Sequence, residues 1–245
     1  MKIGVIVNYC SIDHFLWLYL KPLVQAISDD LVVVRKTHLF NGEPDELHDL
    51  GVPTLTMPHI DGADAENACK VVPQMRYAGM ASLKHDCTHY LFLDSDELFE
   101  VDRMKAALRD YDVPQFFHAR WYWRDANHCA VQSNEGGAFF CRASQIVRPL
   151  DGWINNRSDR AALAGPKQLI SRAVGVGNPF CHHFSWAKPL DQMIRKVKSW
   201  AHKDDRKNWV EMLRAEWALP SPSQTDFVHH KPVVACSNPL EVVIP

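Results

Sequence analysis

Three short, nearly continuous apolar runs constrain most strongly how this chain can fold. Residues 2–7, 31–34 and 90–93 are dominated by Val, Ile, Leu and Phe. Such runs are typical of strands buried on both faces of a parallel sheet, because a half-exposed strand would alternate with polar residues. Between the first two runs, apolar residues at helical spacing from Asp13 to Ile27 predict a crossover helix. The pattern therefore predicts an α/β fold with a Rossmann-like, mostly parallel central sheet flanked by helices.

Further elements are predicted along the rest of the chain. Residues 63–84 should form a second helix that Pro73 kinks or interrupts, because proline lacks the backbone N–H that a helix needs. In the second half, the sequence predicts two aromatic-rich strands, one short strand, a basic amphipathic helix and an extended, proline-dense C-terminal segment. These lie at residues 115–123, 137–147, 168–173, 189–203 and from 220 onward, and one more strand is expected at 54–57. With no convincing linker, residues 1–245 are expected to form one domain.

Composition and charge exclude several classes of protein. Of 245 residues, 47% are hydrophobic, and 27 Lys and Arg stand against 29 Asp and Glu, for a formal net charge of -2. Such a balance gives no overall field that would draw the chain onto nucleic acid or anionic lipid. No apolar stretch reaches about 18 residues, and the first apolar run is too short for a signal-peptide core. We therefore expect a soluble, cytoplasmic protein without a membrane anchor.

Two carboxylates follow the third apolar run at a spacing suited to one metal ion. Asp94 and Asp96 lie one residue apart directly after the predicted strand, so an extended backbone would point both side chains one way and Ser95 the other. Mn²⁺ and Mg²⁺ prefer oxygen ligands, commonly one or two carboxylates together with phosphate oxygens. The carboxyl ends of parallel strands are also where ligands gather. The alternative is a polar turn in which an aspartate caps the next helix.

The region that leads into this acidic turn resembles the core of family 2 GT-A glycosyltransferases. In that family a helical Arg, followed by a Gly, precedes a hydrophobic strand and an Asp-x-Asp element at about the distance that separates Arg76 from Asp94 here. Tyr77 departs from the family, which often has Asn there. The resemblance implies a GT-A fold and metal-dependent transfer of a sugar from a nucleoside-diphosphate sugar, expected to be a UDP-sugar. Asp94, Ser95 and Asp96 would then contact the donor diphosphate and its metal, with Arg76 close to the nucleotide or its diphosphate. The alternative for Arg76 is a surface arginine paired with a neighbouring acid.

A second resemblance lies in the C-terminal half. Residues 182–202 are similar to the end of the family 17 N-acetylglucosaminyltransferases, which show a His-x-Ser-Trp element and then a Lys-x-x-Ser-x-x-His helix. The resemblance implies that His183 completes the metal site, with His182 as the fallback because adjacent strand residues face opposite ways. Lys198 and His202, four residues apart on the predicted helix, would share a face and could address a diphosphate. A solvated basic face is the alternative.

The nucleotide base of the donor is expected over the ends of the first two strands. Asn8 and Tyr9 follow the first strand, and Thr37 and His38 follow the second, so their side chains are available at that edge of the sheet. Tyr9 could stack on a uracil ring, although an aromatic residue at a strand end also serves as ordinary packing. We therefore expect Asn8, Tyr9 and His38 among the nucleotide-binding residues.

A general base near the acceptor hydroxyl is implied because both families are inverting enzymes. Glu135 stands before two glycines in a loop that could close over substrate. Asp151 precedes Gly152 and Trp153 in a turn that could place a carboxylate beside an aromatic sugar platform. Either residue is also compatible with an ordinary turn acid.

These motifs favour a metal-dependent GT-A glycosyltransferase, with a nucleotide-sugar-binding half at residues 1–100 and a variable acceptor-side half at 101–245. The acceptor is expected to be a glycan, or DNA carrying a modified base, for which the Lys and Arg of residues 196–207 could supply a basic groove. A sugar nucleotidyltransferase is one alternative, but residues 8–11 lack the glycine-rich phosphate loop it should show. A non-catalytic carbohydrate- or metal-binding protein is another. Joint binding of metal and nucleotide diphosphate with release of a sugar would exclude it.

Overall fold

The structure is a computed structural model that describes residues 1–59, 65–131, 136–146, 172–200 and 205–245. Within these ranges the helices are α1 (His14–Gln25), α2 (Ala65–Ser82), α3 (Val101–Arg109), α4 (Leu190–Ser199) and α5 (Trp209–Trp217). The strands are β1 (Ile3–Asn8), β2 (Asp30–Lys36), β3 (Thr54–Met57), β4 (His89–Asp94), β5 (Glu97–Phe99), β6 (Gln115–Trp123), β7 (His128–Ala130), β8 (Gly136–Arg142), β9 (Arg172–Val174), β10 (Cys181–Trp186) and β11 (Val233–Ala235). No helix in these ranges is both long enough and apolar enough to cross a membrane.

The N-terminal part of the sheet is parallel. β1 lies between β2 and β4, and β3 pairs with the far side of β2. After β3 the chain returns through α2 to the opposite side of β1, so the strand order reverses between β1 and β4. Such a reversal opens a crevice at the carboxyl ends of the strands, where open α/β sheets bind their ligands. The predicted α/β fold with a mostly parallel central sheet flanked by helices is confirmed.

Both faces of this parallel region are covered by helices. Val5 and Val7 of β1 belong to the buried cluster that contains the apolar face of α1, whereas Ile6 packs in a second cluster with α2. Successive strand residues face opposite ways, so only an uninterrupted apolar run can pack against the helices on both faces of the sheet. Full burial contributes about 1.5–3 kcal/mol for each such side chain, which explains why the strand sequences lack polar alternation.

The second half extends the sheet and brings a later strand to the acidic turn. β8 pairs antiparallel with both β4 and β6, which joins the two halves in one sheet. β6 also pairs antiparallel with β7 and parallel with β9 and β10. β10 in turn pairs antiparallel with β5, so that His183 stands opposite Glu97. The C-terminal half therefore reaches the end of β4 through backbone hydrogen bonds.

A cluster of buried tryptophans supports α4 and α5. Trp123 of β6 lies 5.5 Å from Trp121 and 5.8 Å from Trp186 between ring centroids. Met193 and Val197 of α4 are buried in the same cluster. Because Trp123 is fully buried, its indole N–H needs a partner, and it donates to the Glu216 carboxylate of α5 at 3.0 Å. This packing determines which face of α4 turns toward the crevice.

The helices differ from the prediction in two respects. α2 continues through Pro73 as one helix over Ala65–Ser82, so the predicted interruption is wrong. Val71 and Met75, which lie on either side of that proline, are buried against β1 and β2 in the cluster that contains Ile6. The sequence analysis does not predict α3 and α5, because α3 buries only Met104 and Leu108, which is too narrow an apolar stripe to stand out.

Gly79 of α2 provides a test of the close approach between this helix and the sheet. A Cβ at this position would lie 2.7 Å from Ile6 Cγ2 and 2.8 Å from Val34 Cγ2. We expect Gly79→Ala to lower the free energy of unfolding by about 1–3 kcal/mol through overpacking, although alanine ordinarily stabilises a helix by about 1 kcal/mol relative to glycine. Urea denaturation measures the change, and a more stable variant would contradict the close contact. The exposed Ala81→Gly serves as the control, with a loss of about 1 kcal/mol from helix propensity alone.

Candidate functional site

A cavity of about 260 Å³ opens at the crevice beside the ends of β1, β2 and β4. α2 and α4 complete its wall. Four carboxylates and two ammonium groups line it: Asp13, Asp45, Asp94, Asp96, Lys36 and Lys196. The larger apolar side chains in the wall are Tyr9, Ile12, Leu39, Phe40, Val72, Met75 and Trp200. A concave apolar surface with a few converging charges is typical of a small-ligand site.

Asp94 ends β4 and is the more accessible carboxylate of the acidic turn. Its side chain is 38% exposed, against 10% for Asp96. Arg76 of α2 places Nη2 3.1 Å from Asp94 Oδ1, and the Arg76 side chain is only 3% exposed. The backbone N–H of Asp94 donates to Glu97 Oε2 at 2.8 Å. Arg76 therefore lies behind Asp94 and positions its carboxylate at the cavity wall.

Asp96 lies deeper, within a group of cations. Its Oδ2 is 3.4 Å from Lys188 Nζ and 3.6 Å from Lys196 Nζ. Its Oδ1 is 3.4 Å from His183 Nε2. Burial opposes the ionised form, but attraction to Lys188 and His183 outweighs it and holds the pKa of Asp96 well below its usual value. Asp96 is therefore a carboxylate that the protein itself neutralises.

Lys188 links this turn to the start of α1. Its side chain is fully buried, and Nζ lies 2.7 Å from Asp13 Oδ1 and donates to the carbonyl of Phe184 at 2.9 Å. Burial disfavours the ammonium, but attraction to Asp13 and Asp96 raises the pKa of Lys188 above its usual value. Ser95 Oγ donates to the other Asp13 oxygen at 2.7 Å. The carboxylates of Asp13 and Asp96 thus share one buried cation.

The residues after β1 form the next part of the wall. Neither polar atom of the Asn8 side-chain amide has a hydrogen-bond partner among the described residues, although both atoms are buried. Tyr9 is almost fully buried, with its hydroxyl 2.7 Å from His14 Nδ1. Burial, reinforced by the charge of Asp13, raises the pKa of the Tyr9 phenol, which therefore stays neutral. Asn8 consequently offers the cavity an amide donor and acceptor that the protein does not use.

Lys36, at the end of β2, adds a positive charge to this region. Its Nζ lies 3.2 Å from the ring centroid of Phe40, a cation–π contact. Within the described part of the chain it forms no ion pair. Burial lowers the pKa of Lys36 to about 8. A phosphate group in the cavity would stabilise the charged form.

Helix α4 closes the cavity with Lys196, Ser199 and Trp200. Lys196 Nζ donates to the Ser185 carbonyl at 2.7 Å and also contacts the Ser185 hydroxyl. On a neighbouring face Arg195 binds the carboxylates of the loop after β2, at 2.8 Å for Glu43 and 3.2 Å for Glu46. Side chains of α4 therefore bind both β10 and the loop after β2, on two sides of the cavity.

The structure brings some of the predicted site residues together and leaves others apart. Asn8, Tyr9, Asp94, Ser95 and Asp96 all line the cavity. His183 contacts Asp96 from β10, whereas buried His182 faces Tyr122, with 2.9 Å between its Nδ1 and the hydroxyl. Lys198 is exposed and His38 lies beside Thr37, and neither lines the cavity in the described part of the chain. Glu135, Asp151 and His202 lie outside the described residues, so their roles stay predictions.

A metal ion at the acidic turn does not fit the described residues as they stand. Across these ranges no group of three or more His, Cys, Asp or Glu side chains is arranged to hold one. The predicted metal ligands are Asp94, Asp96 and His183. Two of them already have other partners, because Arg76 binds Asp94 while Asp96 faces two lysines.

Comparisons with known proteins find solved structures that are similar to this chain only at low identity. The sequence matches no protein-family model and no curated protein. The crystal structure of S. aureus TarS 1-349 is similar over 89% of this chain and 73% of that chain, with 12% identity and a TM-score of 0.44. The crystal structure of S. aureus TarS 1-349 in complex with UDP-GlcNAc is similar over 87% of this chain and 72% of that chain, with 11% identity and a TM-score of 0.39. The structure of the inositol-1-phosphate CTP transferase from T. maritima is similar over 59% of this chain and 71% of that chain, with 11% identity and a TM-score of 0.35. Because these identities and TM-scores are low, no residue role is carried over from those structures to this chain.

Removing the buried cation is expected to destabilise the fold strongly. Lys188→Met keeps the length of the side chain but leaves the Asp13 and Asp96 carboxylates without their shared counter-charge. We expect the free energy of unfolding to fall by about 3–5 kcal/mol, measured by urea denaturation at pH 7. The matched surface variant Lys207→Met, at an exposed position, should change it by less than about 0.5 kcal/mol. Equal small effects in both variants would show that the buried pairing contributes little.

The lowered pKa of Lys36 predicts its chemical reactivity. Only the neutral amine reacts with acetic anhydride, so the labelling rate of Lys36 should rise with pH and level off above its pKa of about 8. Peptide mass spectrometry at a series of pH values measures the rate, with the exposed Lys207 as the internal comparison. A Lys36 profile that follows that of Lys207 would contradict the predicted shift.

Proposed function

We propose that this chain is a GT-A-type glycosyltransferase that transfers a sugar from a nucleoside-diphosphate sugar to an acceptor hydroxyl. The observation that carries the proposal is the cavity at the reversal of strand order, which is lined by Asn8, Asp94 and Asp96. Ligands of open α/β sheets bind at this position. The resemblance of the acidic turn to the Asp-x-Asp element of family 2 enzymes supports a nucleotide sugar as the ligand.

The wall of the cavity suits a nucleoside. A buried amide left unpaired costs about 1–3 kcal/mol, so a ligand that pairs with Asn8 is favoured. The amide presents a donor and an acceptor side by side, which matches the hydrogen-bonding edge of a nucleobase or the hydroxyls of a ribose. Apolar side chains such as Leu39, Val72 and Met75 lie in the same wall and offer a surface for a base or a ribose.

The proposed transfer forms one bond and breaks another at the anomeric carbon. The acceptor oxygen bonds to that carbon, the bond from the carbon to the β-phosphate oxygen breaks, and the acceptor proton passes to a base. The nucleoside diphosphate leaves with the electron pair, so positive charge placed near it lowers the barrier. Glu135 and Asp151 remain the predicted candidates for the base.

A glycan is favoured over DNA as the acceptor. The basic groove predicted for DNA draws in part on residues that the protein uses elsewhere. Lys196 lines the cavity, and Arg206 donates to the carbonyl of Phe227 at 2.6 Å and lies over the ring of Trp209. Binding of a phosphate backbone needs a continuous line of available cations.

Donor binding tests the proposal. Calorimetry with a panel of UDP-, GDP- and dTDP-sugars, with and without Mn²⁺, should identify one donor that binds. Asp94→Asn should weaken that binding by about tenfold or more, because a hydrogen bond from a sugar or ribose hydroxyl of the donor to a charged carboxylate contributes about 1.5–3 kcal/mol. The donor that binds is then supplied with candidate glycans, and release of the nucleoside diphosphate measures transfer.

Asp102→Asn is the control for that experiment. Asp102 is an exposed acid on α3 that does not line the cavity among the described residues, so the variant should bind the donor like the wild type. A folded protein that binds no donor at either metal condition would overturn the transferase proposal and favour a non-catalytic binding protein. Formation of a nucleotide sugar from a nucleoside triphosphate and a sugar phosphate would favour a nucleotidyltransferase instead.

A further inference from the structure

Both oxygens of the Asp96 carboxylate already have nitrogen atoms of basic side chains beside them. Two ammonium groups, those of Lys188 and Lys196, lie within 3.6 Å of Oδ2, and the imidazole of His183 lies 3.4 Å from Oδ1. A divalent ion bound to this carboxylate would enter beside both ammonium groups, and like charges repel strongly in a partly buried site. The place where a metal is expected is therefore held by lysine side chains.

Lys196 differs from Lys188 because it faces the cavity. Lys188 is fully buried and spans Asp13 and Asp96 away from the cavity, whereas 14% of the Lys196 side chain is exposed and it contributes to the wall. The Ser185 carbonyl holds Lys196 Nζ at 2.7 Å. The ammonium is thus fixed at the wall before any ligand binds, so little side-chain entropy remains to be lost.

The neighbouring Lys198 is a natural comparison. It lies on the same helix, two residues further on, and it carries the same charge. Its side chain is exposed, and it does not line the cavity in the described part of the chain. The buried Met193 and Val197 fix the rotation of α4, which turns Lys196 toward the cavity and Lys198 toward solvent. Any difference between the two lysines in ligand binding therefore reports position and not overall charge.

We propose that Lys196 binds the diphosphate of the donor, in place of a divalent metal at Asp96, so that donor binding does not require a metal ion. The inference rests on the proposed function, because it assumes that the cavity takes a nucleoside-diphosphate sugar. A phosphate oxygen that approaches the fixed ammonium forms a charge-assisted hydrogen bond. The same ammonium stays beside the diphosphate as its negative charge increases during sugar transfer.

Two probes test the proposal by calorimetry in EDTA and then in Mn²⁺. Inorganic pyrophosphate reports the charge contact alone, and the nucleotide sugar identified in the donor panel reports the complete site. The variants are Lys196→Met, Lys196→Arg and the matched Lys198→Met. In EDTA we expect wild type and Lys198→Met to bind both probes equally well, and Lys196→Met to bind them about 10- to 100-fold more weakly. Lys196→Arg, which keeps the charge, should recover part of that loss.

The outcomes separate this inference from the proposed function. Donor binding that disappears in EDTA, returns with Mn²⁺ and is equal in Lys196→Met and Lys198→Met would overturn the role of Lys196 while leaving the transferase proposal intact. Pyrophosphate binding that depends on Lys196 without any nucleotide sugar binding would support the charge contact and reject the donor. Absence of binding of both probes to the wild type in EDTA would also overturn the inference, and this arm requires no variant to fold.

Discussion

The arrangement around the cavity depends on one buried ammonium group, that of Lys188. A buried charge costs several kcal/mol unless a counter-charge and hydrogen bonds satisfy it. Lys188 finds these in Asp13, Asp96 and the carbonyl of Phe184. The three partners come from the start of α1, the turn after β4 and the end of β10. These contacts hold the three segments together beside the turn that places Asp94 at the wall of the cavity.

The fold could be predicted from the sequence where the residue pattern of a single helix or strand shows which of its faces are buried. The apolar runs of β1, β2 and β4 predicted the parallel sheet, because a strand covered on both faces must be apolar throughout. α3 and α5 were missed, since each is a short helix that buries only two or three side chains. The continuation of α2 through Pro73 was not predicted, because contacts with the sheet, which a local pattern does not reveal, hold the helix together through the proline.

The candidate site was predictable only in part, for a related reason. Asp94 and Asp96 stand next to each other at a strand end, so their position follows from the local sequence. His183, which the pairing of β10 with β5 brings to Asp96, was identified only through a family resemblance. Lys196 and Lys36 were missed because a lysine normally indicates a solvated surface. The rotation of α4 that selects Lys196 over Lys198 is set by Met193 and the tryptophan cluster, which are tertiary features.

The position of Lys188 in the chain has a consequence for folding during synthesis. Asp13 and Asp96 leave the ribosome long before the lysine that neutralises them, and chains grow at about 5–20 residues per second. During that interval the nascent parallel sheet would have to bury two carboxylates without a counter-ion, which opposes closure of the layer that α1 forms over them. The N-terminal strands are therefore expected to reach their final packing only after the segment that carries Lys188 has been made.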